Sequence, residues 1–194
     1  MYFVWESNAK LAEDFLHVSD APDGLDSGSW ITGERLVVKP AVVTLVGDSD
    51  SPSKLSDMVL TPFQLPVLSP QAVSTLADIG VDNVEYFPIN IKRPKVKAVE
   101  QSYKIGNIVG LVYCLDKSHA TLRTFTRNPN KIVALRQYRI LEDKVTGAGP
   151  GKKPPLVFRL GEFSYHVLAH ESVKSAFEKQ KLTGAQFIDP VKYV

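Results

Sequence analysis

The residues best placed to do chemistry are four histidines, one cysteine, a glycine-rich loop and an acidic stretch near the start of the chain. His166 and His170 are four apart, with Glu171 next. On a helix, that spacing would turn both imidazoles to one face and toward a zinc ion. The intervening Val167-Leu168-Ala169 reads as strand, however. Four strand residues span about 13 Å, too far for two ligands about 2 Å from one ion. His170 is better read as the cap of the helix that begins at Glu171. His17 and His119 have no evident partner in sequence and must find one in space, if anywhere. Cys114 lies in an apolar strand-like run, where a thiol is inert core.

The loop Thr146-Gly147-Ala148-Gly149-Pro150-Gly151-Lys152-Lys153-Pro154-Pro155 imitates a phosphate cradle. A P-loop needs a glycine five positions before the Gly-Lys pair and a hydroxyl after it. Thr146 and Lys153 stand at those places, and the two prolines forbid the helix that would hold the phosphate. Asp20, Asp23 and Asp26 suggest a calcium loop, but calcium loops place ligands at every second position and close with Glu. No Gly-x-Ser-x-Gly elbow occurs. These residues assemble no active site, and the reading assigns no cofactor, no metal ligand and no catalytic group.

The rest of the chain must position whatever function there is. It has 194 residues, 44% of them apolar and 23% charged, which is ordinary globular composition with enough length for one real core. A lone cysteine excludes an internal disulfide framework and a thiolate zinc cluster. No apolar run approaches the roughly 20 residues that span a bilayer. The opening Met1 to Glu6 lacks a basic segment leading into a long apolar stretch, which points to a cytosolic protein.

Charge is unevenly spread. Residues 1–50 carry three bases and nine acids, whereas residues 101–150 carry eight bases and three acids. Folding either interleaves these halves or leaves a bipolar body suited to oriented capture of a charged partner. The basic stretch, with Arg123, Arg127, Lys131, Arg136 and Arg139 beside Phe125 and Tyr138, has the composition of a nucleic-acid surface.

Secondary structure reads as many strands and two well-signalled helices. The strand candidates are 2–6, 36–39, 41–46, 83–91, 103–115, 131–140, 156–160, 165–169 and 185–188. Ser69 caps a helix over 70–79 with Pro70 in its first turn, and Gly80 stops it. A second helix covers 171–181, with Val173, Ala176 and Phe177 inward and Gly184 ending it. Asn128-Pro129-Asn130 reads as a turn. Without regular strand–helix alternation, the pattern predicts a single α+β domain over residues 1–194, built on a mixed, largely antiparallel sheet.

Three segments together carry a resemblance. The first is Asp20-x-x-Asp23-Gly24-x-Asp26-x-Gly28 followed by Gly33-Glu34. The second is Gly80-Val81-Asp82-Asn83-Val84-Glu85-Tyr86-Phe87-Pro88-Ile89, leading to Tyr103 and a run ending Cys114-Leu115-Asp116. The third is Val157-Phe158-Arg159-Leu160-Gly161-Glu162-Phe163, then Leu182-Thr183-Gly184-Ala185-Gln186-Phe187. Their order resembles the eleventh-numbered immunity-protein family of bacterial polymorphic toxin systems, formerly a domain of unknown function. The chain departs from it in the loop at 143–155 and in His170, where a Ser-type cap is common.

The resemblance implies a cytoplasmic, non-catalytic protein that neutralises a cognate toxin by binding its toxin domain. If the toxin is a nuclease, its groove is basic, and an acidic inhibitor face imitates nucleic acid. Glu13, Asp14, Asp20, Asp23 and Asp26 are then the expected contacts, with Trp30, if exposed, as an aromatic anchor. The alternative is that these acids keep a turn soluble and Trp30 is core. Two other readings stand beside this one: a nucleic-acid-binding module using residues 117–139, and a small enzyme whose site assembles only in space.

Overall fold

The computed structural model describes residues 1–20, 25, 30–37, 42–147 and 153–194. Its strands are β1 (Tyr2–Ser7), β2 (Val43–Val46), β3 (Val67–Leu68), β4 (Val84–Arg93), β5 (Ala98–Glu100), β6 (Lys104–Ile108), β7 (Leu111–Val112), β8 (Leu115–Phe125), β9 (Asn128–Ile140), β10 (Val157–Leu160), β11 (Val167–His170) and β12 (Ala185–Ile188). The helices that lie wholly among the described residues are α1 (Pro70–Asp78), α2 (Glu142–Val145) and α3 (Glu171–Lys179). This is the α+β class expected, with antiparallel pairing dominant.

The first sheet runs β12-β1-β11-β10-β7 and is antiparallel except where β7 joins β10 in parallel. The second runs β2-β4-β6-β3, with β5 also on β4 and a parallel β2–β4 pair. The third is a two-stranded ribbon, β8–β9.

Alternation along the strands distributes three core clusters. Trp5, Val157, Val167 and Ala169 point from one face of the first sheet onto the helices, where Ala72, Leu76, Val173 and Phe177 meet them. From the other face, Tyr2, Val4, Phe158, Leu160 and Leu168 point to the ribbon, which lays Leu135 and Tyr138 over them. The second sheet buries Leu45, Ile89, Ile91 and Ile105 against Leu16, Val18 and Trp30. β4 serves two clusters: Phe87, Ile89 and Ile91 join this one, while Val84 and Tyr86 lean on the helical one.

Helices α1 and α3 begin as their caps dictate. Ser69 Oγ accepts from Ala72 N at 3.2 Å with Pro70 in the first turn, and the His170 side chain accepts from Ser172 N at 3.2 Å. Gly80 and Gly184 take positive φ of 88° and 87°, a region open mainly to glycine.

Expectations for four segments need correction. The run 103–115 is not one strand. Gly110 turns at φ 122° and its N–H bonds Gly33 O at 2.7 Å, so β6 stays in the second sheet and β7 joins the first. Asn128-Pro129-Asn130 opens β9, and the turn falls at residues 126–127. Residues 116–125, to which no element was assigned, form most of β8. Its inward positions there are Ala120, Leu122 and Thr124, of which only Leu122 is a large apolar residue, too little to announce an apolar stripe. Of the predicted strand 36–39, Leu36 and Val37 are irregular and the remainder lies outside the described residues.

Candidate functional site

Glu13 and Asp14 are exposed in a turn that follows a 3-10 segment, Ala9–Leu11, and Asp20 is exposed further on. Asp23 and Asp26 lie outside the described residues. Trp30 does not meet the condition for an aromatic anchor. It is 2% exposed, and its ring stands edge-on to Phe87 at 5.4 Å in the second-sheet core. Burying so large an apolar ring outweighs any benefit of presenting it to solvent.

Folding adds two acids that sequence reasoning did not associate with this region. Asp48 accepts from Ser19 N at 3.0 Å and from the Ser19 hydroxyl, and it stands 3.3 Å from His17 Nε2. The Ser19 hydroxyl bond is the main reason its carboxyl titrates below the usual range. Asp50 joins them, so that His17, Asp48 and Asp50 offer ligand atoms within 4.8 Å of one another. His17 thus finds its partner across a loop, at a separation with no sequence signal. His119 finds one locally: its Nδ1 lies 2.7 Å from Asp116 Oδ2, at i,i+3 spacing that the sequence does display.

The resemblance segments at 80–89, 157–163 and 182–187 are tied inward. Asn83 Nδ2 donates to Val109 O at 2.7 Å and Val157 O at 2.8 Å, joining three chain segments. Burial works against the Glu85 carboxylate, but bonds from Asn107 Nδ2, Leu36 N and Arg35 outweigh it and hold its pKa below the usual value. Asp57 Oδ2 accepts from Thr183 N at 2.8 Å and Thr183 Oγ1 at 2.9 Å, while Oδ1 takes the Ser69 hydroxyl at 2.7 Å. Asp57 therefore fixes the cap of α1 to the loop after α3. Arg159 is fully buried and donates to Ser164 O at 2.9 Å and Gln64 O at 3.1 Å. Burial lowers its pKa to about 10. Burial likewise pushes the Cys114 thiol up to about 12, which keeps it protonated and inert.

A family model described as an immunity protein family (Imm11) matches residues 54–192, more than two thirds of the chain. The chain belongs to that family. No curated protein matches it. The match takes in the motif segments at 80–89, 157–163 and 182–187, which are the ones tied inward above. The acidic stretch and Trp30 lie before it. In this Imm11 chain the matched segments are held by internal ties.

Between the ribbon and the first sheet of this immunity-family chain lies a cleft of about 810 Å³. β9, the end of β1, the 58–66 segment and the C-terminal Tyr193 and Val194 line it. At its margin the Tyr138 hydroxyl lies 2.9 Å from His166 Nδ1, and Tyr193 stands edge-on to the same imidazole at 4.6 Å. Burial lowers the His166 pKa to about 4, so the ring is neutral at physiological pH. Among the described helices, none is long and apolar enough to cross a membrane.

Proposed function

We propose that this chain neutralises a cognate toxin by binding the toxin domain directly and covering its site, in the cytoplasm of the cell that makes both, and that it does so without catalysis. Membership of the immunity family carries the reading. Supporting it, the motif carboxylates and amides already bond within the fold, as structural groups do. The acids Glu13, Asp14, Asp20, Asp23 and Asp26 form the contact region. They suit a basic toxin groove such as a nuclease presents, and Asp48 and Asp50 extend the same charge. Trp30 acts from beneath as core.

The test is co-expression with the toxin domain encoded beside this chain, scoring survival and co-purification together. Rescue with a stable complex supports neutralisation by binding. Expression of both proteins with neither rescue nor complex overturns it.

A further inference from the structure

The two longest strands form the least supported sheet: β9 pairs with β8 along one edge only. Residues 117–139 hold Lys117, Arg123, Arg127, Lys131, Arg136 and Arg139 and no acid. All six bases are exposed, and among the described residues none has a carboxylate within ion-pair distance.

Six consecutive β9 residues, Lys131 to Arg136, line the cleft. A strand presenting a face contributes every second residue. A consecutive run means that the strand's edge looks in. Among the described residues, no backbone hydrogen bond outside the β8 ladder reaches 131–136, and the next is Gln137 N to Tyr193 O at 2.8 Å. A second free edge borders the same space. Trp5, Glu6 and Ser7 pair with β12, but the β11 register ends at Val4 with Leu168. The walls between include Phe63 and Leu65.

We propose that this cleft receives an extended acidic segment of the toxin polypeptide, added as a strand along the free edge of β9. The inference rests on the toxin-binding reading and specifies one of its contacts. Unpaired backbone groups call for the regular N–H and C=O spacing of a polypeptide, which nucleic acid lacks. Apolar walls suit alternate side chains, and Lys131 and Arg136, about 17 Å apart along a strand, suit carboxylates at either end. Together with the acidic loop, this gives the protein two contacts of opposite sign, which fixes the orientation of a partner.

The probe is a fluorescent peptide of about ten residues alternating glutamate and valine, titrated into the full chain by anisotropy. Its counterparts are the lysine–valine peptide, a version N-methylated at alternate amides, and a single-stranded RNA. The acidic peptide is expected to bind about tenfold tighter than the lysine one, and N-methylation to weaken it about tenfold, because each methyl removes a strand donor. Lys131→Glu with Arg136→Glu reverses the charge preference; both side chains are exposed, and a thermal melt verifies the fold. Equal binding of the acidic and basic peptides, indifference to N-methylation, or tighter binding of the RNA overturns the proposal. Loss of peptide binding while the toxin complex persists rejects the cleft alone. Peptide binding without any toxin complex rejects the toxin as the source of the segment.

Discussion

The Tyr138 hydroxyl stands 2.9 Å from Nδ1 of His166, binding the ribbon to the turn before β11 across 28 residues of sequence. Both groups are neutral here, since burial raises the Tyr138 pKa and lowers that of His166 to about 4. His166 lines the cleft and makes three aromatic contacts, to Tyr138, Phe163 and Tyr193.

His166 is expected to make stability depend on acid. Between pH 6.5 and 4 the unfolded chain binds the His166 proton more readily than the folded one does, so stability rises with pH across that window. It is complete above pH 6.5, falls as the pH drops, and levels off below 4. The difference of about 2.5 units corresponds to about 3 kcal/mol. Glu85, whose folded pKa is lowered, acts in the same direction as the pH falls through it. Urea unfolding at pH 7 and pH 4.5 measures the effect. His166→Gln is expected to be less stable at pH 7 and to lose less on acidification.

Gly184 and Gly80 separate strain from collision. Both have φ near 88°, so alanine costs about 1 kcal/mol of left-handed strain at either site. At Gly80 a Cβ meets nothing within 4 Å, whereas at Gly184 it would run into Met58 O and Ser56 Oγ. Gly80→Ala should lower stability by about 1 kcal/mol and Gly184→Ala by about 3 kcal/mol or more. Equal losses in chemical denaturation would contradict the packing described for the loop after α3.

Asp57→Ala removes the acceptor for Thr183 N, Thr183 Oγ1 and Ser69 Oγ at once. Charge-assisted bonds contribute about 1.5–3 kcal/mol each, not additively, so a loss of about 3 kcal/mol is expected. Asp57→Asn, which keeps an acceptor oxygen, should recover part of it. Hydrogen exchange should show α1 and the 183–184 loop loosening together.

Trp30→Ala tests the placement of that ring. Removing a buried indole costs about 3–5 kcal/mol, and the remaining folded protein should bind toxin with little change. A variant that keeps its melting temperature but loses affinity would return Trp30 to the surface. Reversing Asp20, Asp23 and Asp26 to lysine should do the opposite, weakening toxin binding by about tenfold or more with a stability change within about 0.5 kcal/mol. Unchanged affinity would remove this face while leaving neutralisation intact.

What the sequence by itself determined is whatever depends on near neighbours. Ser69-Pro70 and His170-Glu171 start their helices because a cap and its N–H groups lie within three residues. A valine-rich run made β2, and the inertness of Cys114 follows from its apolar neighbours. The order of three motif segments pointed to the immunity family, and in two of them Asn83, Glu85 and Thr183 tie distant parts of the chain together. Only the tertiary structure decided the rest. Trp30 is core because Phe87, distant in sequence, packs edge-on against it. Gly110 splits an apolar run because Gly33 supplies its acceptor. His17 meets Asp48, and the free edge of β9 faces a cleft, through contacts between segments that the chain must first fold to bring together. Local propensity carries no record of such pairings, since a strand's edge, unlike its faces, leaves no alternation in the sequence.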